Sequence, residues 1–465
     1  MKPSTKKWDA IVIGSGQGGT PLAKKLAKAG LKTALIEREH VGGTCINEGC
    51  TPTKTMIADA RVAQTVREAP SRGIRVEGFS IDLAQIMSRK NGVVESFRSS
   101  SERALAALEN LTLIRGTAAF SGSKTLLVGA EEHSAELIFI NTGCSPSIPP
   151  VHGLDTISYL TSKSILDIAV VPAHLVVLGG GYIALEMGQL FRRLGSEVTI
   201  IERGKALLAR EDKDIRDTMK DILEAEGIKV YLDTEVSGVS AWHRDAPAAD
   251  AVMLDLKRGG GTEVLSASHL LLATGRVPRT EDLHLEKAGI DTDPRGFIRV
   301  DDHLRTNVPG IFALGDVKGG PAFTHVSYND YIILAKNVLE KQDASIKDRL
   351  VPYTVFTDPQ LGRIGLTEDE ARAQGLPTRT AVLPMRHVAR AIETGHTKGF
   401  MKAIVHTETK QILGAAVLGE EGGEIMTVLQ MAMIGGITYD RIREMVIAHP
   451  LFSESLNNLF MTLEG

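Results

Sequence analysis

The sequence predicts an α/β chain with two dinucleotide-binding units and an α+β C-terminal domain. Three observations carry this. An apolar strand runs into glycines at Asp9–Gly19 and again at His174–Ala184. Each unit then reaches a second strand that ends in an acid, Thr33–Glu37 and Val198–Glu202. From about residue 350 the nucleotide pattern stops, and strands at 351–356, 399–405 and 412–418 precede helices from Glu424 to the end. Strand, glycine turn, helix, strand and acid in that order make the Rossmann-like βαβ unit.

In the first unit Gly14, Gly16 and Gly19 follow a strand and open a helix expected over 21–28. Glu37 falls 18 residues past Gly19. Glycines let the backbone approach a pyrophosphate, the helix N-terminus faces its charge, and the acid accepts from ribose hydroxyls. A merely tight strand–helix turn is the bland alternative. The second unit reads Gly179, Gly181, Ala184, with Glu202 again 18 residues on. Alanine still allows close helix packing. A carboxylate there favours NADH over NADPH, whose extra phosphate it would repel; Arg203 and Arg210 lie near enough to offset this in part. A weaker strand–glycine theme recurs at Leu270–Arg276, and Gly/Pro-rich stretches at 143–153 and 275–280 read as crossings between domains.

The bulk numbers narrow the class. A chain of 465 residues suggests about three domains. A hydrophobic share of 43% and a charged share of 24% are ordinary for a globular protein. The net charge of −4 and the 5% aromatic content offer no nucleic-acid footprint. No apolar run reaches the roughly 18 residues of a membrane span. The first residues lack an apolar leader, so the expected compartment is the cytoplasm.

The three cysteines do not make a disulfide scaffold, yet two lie five positions apart, Cys45 and Cys50. A helix pattern begins right after Cys50, with Pro52 in its first turn and Met56, Ala60 and Ala63 as an apolar stripe. A thiol at a helix N-terminus has its pKa lowered and its thiolate stabilised. Two alternatives stand beside a redox pair. A zinc site usually wants four ligands, and only His40 is close in sequence. Two inert core thiols are the other. Cys144, after the Thr142–Gly143 turn, reads as a packed small apolar residue.

The segment from Gly42 through Gly43, Thr44 and Cys45 to Cys50 and Lys54 resembles the redox-active signature of the pyridine nucleotide-disulfide oxidoreductases. Thr142–Gly143, the segment 273–278 with Gly275 and Arg276, the segment 311–316 with Gly315 and Asp316, and His449 to Glu454 match further family motifs. The resemblance covers essentially the whole chain. It implies an FAD-binding domain at 1–150 and 277–348, an NAD(P)-binding domain at 151–276 and a dimerisation domain at 349–465. It implies that Cys50 faces the flavin as the charge-transfer thiolate and that Cys45 attacks the substrate. Lys54 and Glu186 would pair near the flavin ring, Asp316 would hold the ribityl chain, and Ala118 would touch FAD through its backbone. Tyr182 would be the lid over the nicotinamide pocket. His449, oriented by Glu454, would be the acid–base catalyst, contributed by the partner subunit of a homodimer. The residue types suit that role, since thiolate formation needs a base near neutral pH and a carboxylate fixes its tautomer.

No cysteine follows Cys144, so the C-terminal pair of mercuric reductases and of high-molecular-weight thioredoxin reductases is missing. The segments 390–400, 315–326, 210–215 and 453–457 nonetheless look most similar to the mercuric-reductase-like, reactive-chlorine-resistance branch. That branch has been linked to reduction of hypothiocyanous acid and copper(II). The implied substrate is therefore a small oxidant or metal ion. A low-molecular-weight disulfide reductase of the dihydrolipoamide dehydrogenase type is the alternative, and a non-catalytic FAD-binding sensor is the third reading. The implied partners are a second copy and a small molecule, without nucleic acid, membrane or resident metal.

Overall fold

A computed structural model describes residues 5–242 and 251–464. The first sheet is built on the strand Lys6–Ile13, which is flanked in parallel by Thr33–Glu37 and Glu131–Ile140. Leu111–Arg115 extends one side, and Ile311–Ala313 pairs in parallel with Glu131–Ile140. Ala118–Gly122 and Thr125–Val128 complete it as an antiparallel ribbon. The central strands are buried on both faces, which is why 10–13 and 34–36 are unbroken apolar runs rather than alternating ones. The helix Gly19–Lys28 starts two residues before the expected 21 and lays Leu22, Ala23, Leu26 and Ala27 onto the sheet.

The second sheet repeats the plan. Its parallel strands are Lys229–Tyr231, Glu197–Ile201, His174–Leu178, His269–Leu272 and Leu160–Thr161, in that order. The helix Tyr182–Leu194 follows the glycine turn, and the weaker third glycine segment enters this sheet through His269–Leu272. The two Gly/Pro-rich stretches meet each other: Cys144–Pro146 pairs antiparallel with Arg276–Pro278 where the chain leaves and re-enters the first unit.

The C-terminal region is a five-stranded antiparallel sheet ordered Tyr353–Val355, Gln360–Gly365, Ile412–Gly419, Phe400–His406, Thr378–Pro384. Gly422–Ile434 packs on it, and Tyr439–Arg443 and Ser455–Met461 follow. The sequence reading missed Gln360–Gly365 and Thr378–Pro384. The first contains a fully buried Arg363, which breaks the apolar pattern. The second is an edge strand, polar at its first three positions and ending on proline.

Arg363 and Lys402 are buried because the second unit supplies their partners. Asp212 lies 3.3 Å from Arg363 Nη1, and Asp214 lies 2.8 Å from Lys402 Nζ. This accounts for the charged segment 210–215: it docks the nucleotide unit on the C-terminal sheet. Glu211 sits in the same junction, accepts from the Tyr353 hydroxyl, and burial pushes its carboxyl up to about 7.

Candidate active site

Both glycine turns have the same internal geometry. Gly14 adopts φ +95° and Gly179 φ +114°, a region that favours glycine. A Cβ on Gly14 would lie 2.4 Å from the Asn141 carbonyl oxygen, and one on Gly179 would lie 2.4 Å from that of Ala273. Gly19 is tighter still, with a Cβ falling 2.0 Å from the Gly14 carbonyl oxygen. Its N–H donates to the Asn141 side chain at 2.8 Å, so Asn141 holds the turn to the neighbouring strand. Glu37 is buried, and its carboxylate accepts from Ser15 N (3.0 Å), Ser15 Oγ (2.6 Å) and Glu39 N (2.8 Å). A carboxylate has about four lone-pair sites, so one remains for a ribose hydroxyl.

From this turn a cavity of about 740 Å³ runs to the cysteines. It gathers Gly14, Gly16, Glu37, Gly43, Thr44, Cys45, Cys50, Lys54, Ala118, Thr142, Gly143, Tyr182, Glu186, Arg276 and Asp316. Its size is that of a cofactor site. Thr142 Oγ1 and Arg276 Nε are buried without a hydrogen-bond partner among the described residues, as expected of groups that face a polar ligand. A glycine cradle at one end, two orphaned polar groups along the wall and a dithiol at the other end fit FAD. Asp316 pairs with Arg276 at 3.1 Å, and burial pushes its carboxyl up. Cys144 is buried beside the same wall, 3.4 Å from the Asp316 carbonyl oxygen.

The helix Cys50–Glu68 begins at the second cysteine itself. Cys45 and Cys50 are free thiols, half-buried and exposed respectively, so they are not inert core residues. Among the described residues no group of three or more His, Cys, Asp or Glu stands where it could hold a metal ion. The hydrogen bond from Cys45 lowers the Cys50 thiol to about 6, aided by Thr324 and the Lys54 charge. The same bond, with burial, pushes Cys45 far above its ordinary range. Thr324 Oγ1 lies 3.3 Å from Cys50 Sγ. The hydrogen bond between the thiols, with Thr324 and Lys54, favours charge on Cys50 over Cys45.

Lys54 reaches Glu186 at 2.6 Å and lies 4.7 Å over the Phe356 ring. The other Glu186 oxygen accepts from Phe356 N at 2.9 Å, so this carboxylate joins all three regions of the chain. Tyr182 leads the second unit's helix, and burial keeps its phenol neutral. Its ring meets Phe323 at 5.9 Å, and Phe323 stacks on His325 and Tyr353 at 5.3 and 5.5 Å. His325 donates from Nε2 to the Pro352 carbonyl oxygen at 2.7 Å. None of Asn141, Phe323, Thr324, His325, Tyr353 and Phe356 was given a site role in the sequence, although Phe323, Thr324 and His325 lie within the segment 315–326.

Gly19, Gly179, Gly181, Ala184, Glu202, Gly275 and Gly315 do not line this cavity. Glu202 Oε1 accepts from Gly204 N at 2.5 Å and packs against Gly180 at the second glycine turn. His449 and Glu454 do not line the cavity of their own chain. His449 Nδ1 lies 2.9 Å from Glu454 Oε2, and its side chain is 66% exposed.

The chain matches the family model described as pyridine nucleotide-disulphide oxidoreductase over residues 8–330. It matches that family's dimerisation domain over residues 351–460. The chain belongs to this family. It is an FAD-dependent oxidoreductase that uses a pyridine nucleotide. It is 38% identical over 462 residues to the "Probable pyridine nucleotide-disulfide oxidoreductase RclA" of Escherichia coli (strain K12), covering 98% of this chain and 99% of the relative. A mercuric reductase of Staphylococcus aureus is 33% identical over 457 residues, 98% of this chain and 82% of the relative. A solved structure described as a Cu(II) complex of the HOCl-induced flavoprotein disulfide reductase RclA from Escherichia coli superposes with a TM-score of 0.89. It is 37% identical, with 98% of this chain and 99% of that chain covered. These relatives fit the mercuric-reductase-like reading and do not favour the dehydrogenase alternative. Among the described residues no helix is long and apolar enough to cross a membrane.

Proposed function

We propose that this flavoenzyme reduces a small oxidant or a soft metal ion through Cys45 and Cys50, with NADH as the preferred donor. The observation that carries the reading is the placement of the dithiol: Cys50 opens a helix inside the cofactor cavity, 3.3 Å from the Thr324 hydroxyl, in a setting that lowers its thiol, beside Cys45. When bound, FAD supplies two-electron transfer from the reduced nicotinamide to this pair.

The geometry around the dithiol supports the following steps for the protein's own residues. Cys50 carries the resting charge, stabilised by the Thr324 hydroxyl and Lys54. Glu186 holds Lys54 in place. Cys45 must lose its proton to act, and His449 of a second copy receives it in a homodimer. Glu454 fixes the His449 Nδ1–H tautomer, which leaves Nε2 free as the base. The Cys45 sulfur then attacks an electrophilic sulfur or binds a soft cation. Cys50 closes the disulfide and the dithiol gives up two electrons, to one two-electron acceptor or to two one-electron ions such as Cu(II), with His449 returning the proton to the leaving group where there is one. Small electrophiles need no elaborate pocket. Glu202 at the second turn supports NADH, because it would repel a 2′-phosphate.

The test is anaerobic NADH oxidation by FAD-loaded protein against lipoamide, oxidised glutathione, Cu(II), Hg(II) and hypothiocyanous acid side by side. Turnover with hypothiocyanous acid or a metal ion, and little with lipoamide, is expected. Fast turnover with lipoamide alone would overturn the proposal.

A further inference from the structure

A charged bridge links two walls of the cofactor cavity, and none of the steps above uses it. Lys163 stands in the turn between Leu160–Thr161 and the helical turn Ser164–Asp167, at the edge of the second unit's sheet. Its ammonium donates to Glu39 Oε2 at 3.2 Å and pairs with Glu48. Glu39 lies just past the strand Thr33–Glu37. Glu48 lies between the two cysteines, in the turn that joins the short helix Gly43–Asn47 to the helix starting at Cys50. Glu39, Glu48 and Ser162, the residue before Lys163, all line the cavity. One side chain of the second unit thus ties together both ends of the first unit's cofactor-facing segment.

The carboxylates are held from other sides too. Arg279 Nη2 lies 3.9 Å from Glu48 Oε2, and Arg38 Nε lies 4.0 Å from Glu39 Oε1. The Glu48 side chain is only 13% exposed, so its charge is screened less than that of a surface acid. Partial burial opposes charge on Lys163, yet its bonds to Glu48 and Glu39 raise the ammonium above its ordinary value. Burial likewise opposes charge on Glu39, and the Lys163 bond still holds that carboxyl below its ordinary value.

We propose that Lys163 is a clasp: by bridging Glu39 and Glu48 it closes the second unit over the FAD-binding cavity and slows escape of the bound flavin. The inference rests on FAD occupying that cavity. It goes further in assigning retention of the cofactor to three residues that no glycine or cysteine motif contains. An ion pair that must break before a ligand leaves is felt in the dissociation rate. Two contacts of an exposed kind, one end half-buried, correspond to about three- to tenfold.

The experiment is dilution of FAD-loaded protein with release followed by the rise in flavin fluorescence, at low and high salt. Lys163→Met should release FAD about three to ten times faster at low salt. It should also lose most of the salt acceleration shown by the parent. Lys163→Arg should restore slow release. Lys163→Met combined with Glu48→Gln should be no faster than Lys163→Met alone, because Lys163→Met already removes the Lys163–Glu48 contact. Lys213→Met, which breaks a fully surface pair with Asp217, should leave the rate unchanged. The proposal is overturned if Lys163→Met matches the parent rate and salt response. It is also overturned if Arg fails to rescue, if the two changes simply multiply, or if Lys213→Met accelerates release equally. A parent that carries no FAD would instead overturn the cofactor assignment itself, which the flavin absorbance of the starting material reveals first.

Discussion

Replacing Thr324 by valine removes one hydroxyl and keeps the shape of the side chain. The hydroxyl lies 3.3 Å from Cys50 Sγ, and a thiolate can only accept from it. A hydrogen bond to a charged group contributes about 1.5–3 kcal/mol. Cys50 opens onto the cavity, so the lower end applies, which is about one pKa unit. Losing a bond to the charged form disfavours that form, so the Cys50 pKa rises from about 6 to about 7. The thiolate share at pH 6 then falls from about one half to about one tenth, roughly fivefold. At pH 7 the loss is only about twofold. The assay is the pH dependence of iodoacetamide labelling of the reduced holoenzyme, with Cys45 and Cys50 distinguished by fragment mass spectrometry. The valine variant should shift the Cys50 midpoint upward, and Thr324→Ser should return it. A valine midpoint within about 0.3 units of the parent, or below it, would refute the role given to Thr324.

Three further outcomes follow from the same geometry. Cys45→Ser or Cys50→Ser should lower NADH-driven acceptor reduction at least about a thousandfold while FAD stays bound, read from turnover and flavin absorbance on one sample. Glu211 is protonated more readily in the folded protein than in the unfolded chain, with a folded pKa of about 7 against an ordinary 4.5. The folded state therefore binds the extra proton, and stability falls as pH rises from about 4.5 to about 7. Glu211→Gln should remove that loss, so its melting temperature should exceed the parent's above pH 7 and converge with it near pH 4.5; a constant offset across this range would contradict the assignment. Glu202→Gln should reduce the preference for NADH over NADPH by about tenfold, measured as the ratio of the two kcat/KM values, since it removes the charge opposing a 2′-phosphate.

Much of this architecture is legible locally. Gly14 and Gly179 announce their turns because only glycine suits their positive φ and their approach to Asn141 and Ala273. Cys50 announces a reactive thiol because the helix it opens is readable from the apolar stripe of Met56, Ala60 and Ala63, all of which are buried. The strand Gln360–Gly365 is illegible for a physical reason: its Arg363 is buried only because Asp212 arrives from another domain to neutralise it. Glu48 is similar. In sequence it is one polar residue between two cysteines, and its partner Lys163 lies on a different sheet.

The sequence by itself determined the two nucleotide units, the dithiol at a helix start and the α+β end of the chain, because these depend on backbone geometry and periodicity over fewer than about 30 residues. Only the tertiary structure decided which groups surround the thiols. Thr324 stands 274 positions from Cys50, and Glu186 stands 132 from Lys54. Such contacts exist because separately folded layers dock against one another, and no spacing along the chain records where a docked surface will place a hydroxyl or a charge.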